Sequence, residues 1–365
     1  MSGRAILLLS ALTGRAVANC AYGTTLHPRA EDGVKIGNFG YNGLTGPTNW
    51  LGIDEANIQC AVGTRQSPVD MVAGAFPRIA GTAINLQIPD IAETEFENLG
   101  TTVEVVANQG GTMTIPDVGD FKLQQFHFHL PSEHLDNGTS QAMEMHMVWE
   151  GAENASSVAV LSAYIGLVGQ NGAGSGAGTS QAATVAGAVA AAKKRQDEST
   201  GTSAEGAPAS TAASGATVLL ETVLNTVDQI ATPGTAIKTP ALVMSELVNL
   251  LTSGEFQQYT GSLTTPPCTE GVNWLVATQK LTIEPATFAK VRDVVGFNAR
   301  FPQNKLGETN LLQVSAQSIG SPAPGSGDGT PNKFITTSTG RLGRLGGGLR
   351  ARPLGPLVVL GGDIH

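Results

Sequence analysis

A short run of alternating aromatic and imidazole side chains constrains this chain more than any other feature. Residues Phe126–His129 read Phe-His-Phe-His, and four of the six histidines of the 365-residue chain lie between this run and His146. A period of two is typical of a β-strand, which would place both imidazoles on one face and both phenyl rings on the other. Such a concentration of imidazoles on one face of a strand indicates a metal site.

A turn signal follows this strand. Asp136-Asn137-Gly138-Thr139 separates it from the apolar run Met143–Trp149, and Asn-Gly between two alternating segments is a strong indicator of a β-hairpin. If the two strands pair, His146 reaches the same pocket as the first two histidines. Glu144 and Val148 then share the face of His146.

Three imidazoles without a fourth protein ligand are typical of catalytic zinc, because the open coordination position holds water. Structural zinc sites are usually closed by Cys and His, and the chain contains no Cys-x-x-Cys motif. We therefore predict that His127, His129 and His146 bind Zn²⁺. The alternative is that they are ordinary hydrogen-bonded core histidines, which fits any one of them better than it fits all three.

Several segments together resemble the α-class carbonic anhydrases. The segments, in family order, are Arg65–Asp70, Gln125–His129, Ser132–His134, Glu144–Val148 and Gly261–Pro267. The resemblance runs from about Tyr41 to Gln303 around one long insert, and the flanking segments resemble those of secreted fungal members. It implies a mainly β fold, with a large, twisted, mostly antiparallel central sheet and short peripheral helices.

The resemblance also implies an activity and its machinery. The activity is the reversible hydration of carbon dioxide to bicarbonate and a proton by a zinc-bound hydroxide. Thr264 matches the threonine that orients the hydroxide while giving its own proton to the glutamate at Glu133. Partners for the second nitrogens of the histidines would be Gln125 for His127, the carbonyl of Asn298 for His129, and Glu144 for His146.

Carbon dioxide is small and apolar, so it should rest against hydrocarbon. By resemblance the substrate-binding residues are Val148, Val160, Leu263, Val272 and Trp274, with Thr265 on the polar side. Rapid members of the family carry a proton-transferring histidine at a position where the resemblance places Gly111 in this chain. That difference predicts slow export of the proton.

The first residues resemble a secretory signal. Arg4 precedes the apolar run Ala5–Leu12, and Ala16-Val17-Ala18 predicts cleavage that removes residues 1–18. A secreted, extracellular location agrees with the resemblance, which pairs Cys60 with Cys268 in a disulfide; two buried free thiols are the alternative. Cys20 is left without an assigned partner.

Composition and local patterns define the remaining organisation. We predict a catalytic domain over residues 31–315, interrupted by a disordered Gly, Ala, Ser and Thr rich insert at 169–215, and a disordered tail at 316–365. Val158–Leu167 predicts a strand and Pro285–Val295 a helix. In a secreted protein, the sequons at Asn137 and Asn154 are candidate glycosylation sites.

Charge and hydropathy limit the partners. A net charge of −9 argues against nucleic acid. No apolar run approaches the roughly 20 residues needed to span a bilayer, so no membrane anchor is expected. The sequence does not reveal the oligomeric state.

Two alternative functions remain open at this point. His127, His129 and Glu133 also match the first metal motif of a cupin, a jelly-roll fold that includes metal-dependent dioxygenases; a second cupin motif with a later histidine does not follow. The other alternative is a non-catalytic binding module of carbonic anhydrase shape.

Overall fold

A computed structural model describes four stretches of the chain. They are residues 21–25, 27–29, 33–169 and 217–317. The chain divides into two units, Met1–Val314 and Ser315–His365, and everything described below except the last three residues belongs to the first. The predicted signal peptide, Cys20 and nearly all of the predicted insert and tail lie outside the described residues.

Twelve strands form one large sheet in the described part of the chain. They are β1 (Arg78–Ala80), β2 (Asn85–Gln87), β3 (Glu95–Asn98), β4 (Val103–Val106), β5 (Thr112–Ile115), β6 (Gly119–His129), β7 (Met143–Gly151), β8 (Val158–Leu167), β9 (Ala236–Lys238), β10 (Glu255–Ser262), β11 (Glu270–Ala277) and β12 (Leu281–Ile283). The main path through the sheet is β1-β10-β11-β8-β7-β6-β4-β3-β9. Off it, β12 pairs with β8, and β5 pairs with β2 and β6.

The mainly β fold is confirmed, and the sheet is mostly antiparallel as expected. It is nevertheless mixed, because β8 pairs in parallel with both β11 and β12. A single sheet of this size is not a jelly roll, which consists of two stacked sheets. The cupin alternative is therefore wrong.

Short helices lie around the sheet. They are α1 (Trp50–Ile53), α2 (Ile58–Val62), α3 (Val218–Leu224), α4 (Ser245–Thr252), α5 (Pro285–Val295) and α6 (Leu311–Gln317). The predicted helix α5 has the predicted bounds: Pro285 fits the first turn, where a backbone N–H is not needed, and Gly296 ends the helix with φ 68°. No helix among the described residues is long and apolar enough to cross a membrane.

The two faces of the central strands differ in chemistry. On β6, Phe126 and Phe128 enter the main apolar core together with Trp149 of β7. The intervening His127 and His129 project to the opposite face, as the alternation predicts. The pattern of the sequence thus assigns one face of β6 to the core and the other to a site.

The hairpin between β6 and β7 is confirmed, although its connection is longer than the turn signal suggests. Asn137 and Gly138 both have positive φ, 50° and 77°, and the backbone of Asp136 pairs with that of Thr139 on either side of them. This tight turn lies inside an excursion, residues 130–142, that joins the two long strands. Asn-Gly therefore fixes the turn itself and not the whole connection.

Cys60 in α2 forms a disulfide with Cys268, which follows the turn after β10. The two residues are 208 positions apart in the sequence. The predicted pairing is confirmed, and the alternative of two free thiols is wrong. The bond joins the first helices to the loop that carries Thr264.

Candidate active site

Three histidines converge on one face of the sheet. The register of β6 and β7 sets His127 directly opposite His146, and His129 lies two residues further along β6. Their ring centroids are 4.5 Å apart for His129 and His146, 5.0 Å for His127 and His129, and 5.4 Å for His127 and His146. All three side chains are buried, with at most 1% exposed.

Each ring has one nitrogen in a hydrogen bond that determines its tautomer. Nδ1 of His127 lies 2.8 Å from Oε1 of Gln125, and Nδ1 of His129 lies 2.9 Å from the carbonyl oxygen of Asn298. Nε2 of His146 lies 2.8 Å from Oε1 of Glu144. These oxygens are acceptors, so each facing nitrogen carries the proton and the other ring nitrogen carries a lone pair.

The three lone pairs have no hydrogen-bond partner among the described residues. They belong to Nε2 of His127, Nε2 of His129 and Nδ1 of His146, all buried. These histidines form a group whose candidate ligand atoms lie within 4.8 Å of one another. Buried acceptors that face each other without a donor are unfavourable. A cation at their centre would satisfy all three.

Burial also keeps these imidazoles neutral. Burial, as the largest effect, lowers the pKa of His129 to about 4 and that of His127 well below its ordinary value. It lowers the pKa of His146 as well, although Glu144 opposes the shift. A neutral ring is the form that can bind a metal ion.

Glu144 is the centre of a buried polar network. Its carboxylate accepts from Nε2 of His146 at 2.8 Å, from Nδ1 of His134 at 2.6 Å and from the backbone N–H of His134 at 2.8 Å. The hydroxyl of Ser162 donates to the same carboxylate. Burial by itself would raise the pKa of Glu144, but His134 and His146 hold it well below the usual range. The carboxylate is therefore ionised.

A second group of candidate ligands, His134, Glu144 and His146, overlaps the first. In this group Nδ1 of His134 contacts Glu144 and its Nε2 lies 2.6 Å from the hydroxyl of Tyr259. Tyr259 in turn donates to Ser67 at 2.8 Å. Both ring nitrogens of His134 are engaged, so this residue is a structural support and not a metal ligand.

Sequence reasoning did not find Ser162 or Tyr259. They lie on β8 and β10, far along the chain from the histidines. An isolated Ser or Tyr in an apolar strand gives no signal of its own. The only hint is that a polar residue at a fully buried strand position needs a partner.

Glu133 and Thr264 lie together beside the histidines, both buried. The backbone N–H of Arg300 donates to Oε1 of Glu133 at 2.8 Å. Burial raises the pKa of Glu133 to about 7, against the lowering effects of His146, the Arg300 N–H and a hydrogen bond from the Thr264 side chain. The structure thus brings together the two residues that the resemblance paired.

An apolar cluster borders the site. It contains all five apolar residues predicted to contact substrate: Val148, Val160, Leu263, Val272 and Trp274. The Trp274 ring centroid is 4.9 Å from that of His146, so this cluster reaches the histidines. Thr265 is also buried, next to Thr264 in the chain.

Gly111 packs closely against β6. A Cβ atom at this position would lie 2.7 Å from Cβ of Leu123. Leu123 belongs to the main core together with Phe126, on the face of β6 opposite His127. A side chain at position 111 would point into that core. The glycine therefore permits close packing at this point, and slow export of the proton stays a prediction.

Both candidate glycosylation residues are exposed. Asn137 accepts from the backbone N–H of Ala73 at 2.7 Å, so its side chain is held within the turn. Asn154 accepts from the N–H of Ser156 at 3.1 Å in a local turn. Asn154 is the less constrained of the two.

Comparison with known proteins agrees with this geometry. The profile of the family described as eukaryotic-type carbonic anhydrase matches residues 45–167 and 187–311, more than half of the chain. A carbonic anhydrase of Pectobacterium atrosepticum is 29% identical over 260 residues, which cover 69% of this chain and 80% of that protein.

Solved structures show the same likeness. The structure of the fungal alpha carbonic anhydrase from Aspergillus oryzae is 33% identical with a TM-score of 0.61, and the match covers 77% of this chain and 99% of that one. The alpha-carbonic anhydrase from Thermovibrio ammonificans, solved with the inhibitor sulfanilamide, is 26% identical with a TM-score of 0.54, and the match covers 74% of this chain and 97% of that one. The chain therefore belongs to the α-class carbonic anhydrases, enzymes that hydrate carbon dioxide.

Proposed function

We propose that this protein hydrates carbon dioxide reversibly to bicarbonate and a proton, using Zn²⁺ bound by His127, His129 and His146. The observation that carries the proposal is the set of three buried, unpartnered lone pairs on these rings. Three neutral imidazoles and no other protein ligand are the donor set of a catalytic zinc site. When bound there, zinc supplies a water molecule acidic enough to act as a nucleophile near neutral pH.

The ligand orientation comes from residues behind the rings. Gln125, the carbonyl of Asn298 and Glu144 each accept a hydrogen bond from one imidazole N–H, so the rings cannot rotate without losing that bond. The negative charge of Glu144 increases the basicity of His146 as a ligand. Preorganised ligands of this kind bind metal more tightly than mobile ones.

Thr264 and Glu133 position the attacking water. Because the hydroxyl of Thr264 donates its hydrogen bond to Glu133, its oxygen can accept a hydrogen bond from that water but cannot donate one to it. The lone pair of the water is thereby directed at the substrate carbon. The N–H of Arg300 holds the Glu133 carboxylate in place.

The apolar cluster provides the substrate position. Carbon dioxide has no net charge and can displace poorly ordered water from Val148, Val160, Leu263, Val272 and Trp274. Bicarbonate is an anion and gains nothing from a hydrocarbon wall. The same surface therefore favours entry of the substrate and departure of the product. Thr265 supplies a polar group at the edge of this position.

We further propose that the protein is secreted and carries glycans at Asn154 and Asn137. The disulfide between Cys60 and Cys268 supports an oxidising compartment, since such bonds are rare in the cytosol. Mass spectrometry of the secreted protein before and after glycosidase treatment tests the modification. Retention of unmodified protein inside the producing cell contradicts it.

The test of the main proposal is zinc analysis combined with stopped-flow carbon dioxide hydration, with and without a chelator. The wild-type protein is expected to hold one zinc and to lose its activity with the metal. His146→Ala should lose both, because two imidazoles seldom retain zinc. The control is Arg78→Ala, which removes only a surface ion pair with Glu255 and should keep both zinc and activity. A protein that binds zinc but does not hydrate carbon dioxide would be a binding module.

A further inference from the structure

A short segment near the N-terminus folds back onto the face that carries the histidines. Residues 21–25 and 27–29, which we call the strap, form a tight turn in which Tyr22 and Thr24 pair with His27 through isolated bridges. The backbone N–H of Gly23 donates to the carbonyl of His27 at 2.8 Å. The strap therefore has a defined structure of its own.

One end of the strap is held on β4 and β3. The guanidinium of Arg29 lies 2.9 Å from a carboxylate oxygen of Glu97 and makes a still closer ion pair with Glu104. Glu104 stands directly opposite His127 in the pairing of β4 with β6. Residues opposite each other in antiparallel strands project to the same face, so Arg29 approaches the face of the histidines.

The other end of the strap is held on β7. The backbone N–H of Thr25 donates to Oε1 of Glu150 at 2.6 Å. Glu150 lies four residues after His146 on the same strand and therefore shares its face. In addition, Ala21 is buried in the apolar cluster that contains Val148 and Trp274. This end of the strap thus packs into the same apolar cluster as the proposed substrate wall.

These anchors lie on both sides of β6, because the sheet order is β7-β6-β4. A segment held on β4 and on β7 must cross the strand between them, and that strand carries His127 and His129. The crossing takes place on the histidine face, since Glu104 and Glu150 both point there. The strap therefore spans the approach to the site.

We propose that the strap is a roof over the histidine site and that Arg29 is a specificity-determining residue, which admits small neutral molecules and disfavours aromatic ligands. The inference rests on the proposed zinc-dependent function. An aromatic ligand whose anionic group reaches the zinc needs apolar surface for its ring, and a ring buries far more area than a triatomic molecule. Part of that surface is already covered by Ala21.

Arg29 is the contact that holds the roof. Its two ion pairs are charge-assisted hydrogen bonds, the strongest polar contacts described for the strap. Its guanidinium also lies 4.9 Å from the ring centroid of Tyr22, which is buried. Removal of this side chain leaves two carboxylates facing the strap without their cation, which favours its release into water.

The experiment compares full-length wild type with Arg29→Ala and measures affinity for sulfanilamide, an aromatic sulfonamide probe, by calorimetry on the zinc-loaded protein. We expect Arg29→Ala to bind the probe about tenfold more tightly, since one charge-assisted contact is worth at least that factor. Arg29→Lys, which keeps the charge without the bidentate geometry, should be intermediate. Arg78→Ala removes a surface ion pair with Glu255 and is the matched control.

A second measurement does not depend on zinc. Hydrogen exchange on the metal-free proteins should show faster deuterium uptake across residues 21–29 in Arg29→Ala than in Arg78→Ala. Equal probe affinity in wild type and Arg29→Ala, or equal deuterium uptake in the two variants, would refute the proposal that Arg29 holds the strap over the histidine site. If Arg29→Ala shows the faster uptake but the wild-type protein neither binds zinc nor hydrates carbon dioxide, the proposed function is refuted and the role of Arg29 in holding the strap stands.

Discussion

The substitution Glu144→Gln tests whether one carboxylate supports both the fold and the metal site. Gln has nearly the same shape, but it is neutral and replaces one acceptor oxygen by a donor. In the wild type the two oxygens of Glu144 accept from His146, from two groups of His134 and from Ser162. No orientation of the amide can accept from all four donors.

The magnitude follows from these contacts. Leaving one buried donor without an acceptor costs about 1–3 kcal/mol, and the remaining bonds change from charge-assisted to neutral, which weakens each by about 1 kcal/mol. The losses are coupled and do not simply add, so we expect the free energy of unfolding to fall by about 3–5 kcal/mol, the range found when a buried ion pair is broken. Loss of the carboxylate behind His146 should also weaken zinc binding by about 10–100-fold.

Two assays separate these effects. Urea titration of the metal-free proteins measures the loss of stability. Competition with a chromogenic chelator measures the zinc dissociation constant. The control is Glu255→Gln on β10, whose carboxylate is half exposed in a surface ion pair and should change stability by less than about 1 kcal/mol. Wild-type zinc affinity in Glu144→Gln would refute the orienting role, and wild-type stability would refute the argument from buried charge.

Three further outcomes follow from the structure. Thr264→Val should retain zinc but lower the hydration rate by about 100-fold, because the water is no longer oriented; stopped-flow data at full zinc occupancy check this, and an unchanged rate contradicts it. Gly111→Ala should lower the free energy of unfolding by about 1–3 kcal/mol, because its Cβ would lie 2.7 Å from that of Leu123. Urea titration measures this loss, and a free energy of unfolding equal to that of the wild type contradicts it. Reduction of the bond between Cys60 and Cys268 should cost about 2–5 kcal/mol; equal urea midpoints with and without reductant speak against that value.

Local patterns predicted the part of the site that is local in the chain. The alternation at His127 and His129 determines a face of β6, and the turn signal at Asn137 and Gly138 predicts that the chain reverses, while the pairing of the two strands sets His146 opposite His127. Both signals act within about twenty residues. The roles of Thr264 and Glu133 were predictable only from the family resemblance, because nothing in the sequence around them marks the threonine or the glutamate as buried and paired.

Contacts between distant segments were not predictable in this way. The parallel pairing of β8 with β11 and β12 depends on strands far apart in sequence, and no periodicity reports it. The close approach of Gly111 to Leu123 was not predicted, because the neighbours of Gly111 give no register for this contact. Arg29 was overlooked because it precedes the matched region, and its partners Glu97 and Glu104 read as ordinary strand residues.

Two buried carboxylates near the histidines differ in what stabilises their charge. The described partners of Glu144 all lie in the sheet or in the connection between β6 and β7, and its charge is stabilised without the strap. Burial raises the pKa of Glu104, and the guanidinium of Arg29 opposes that rise by stabilising the carboxylate. When the strap lifts, water can solvate both Glu104 and Arg29 and replace much of what their ion pair contributed. Arg29 therefore holds the strap on the sheet without being needed for the charge of Glu144.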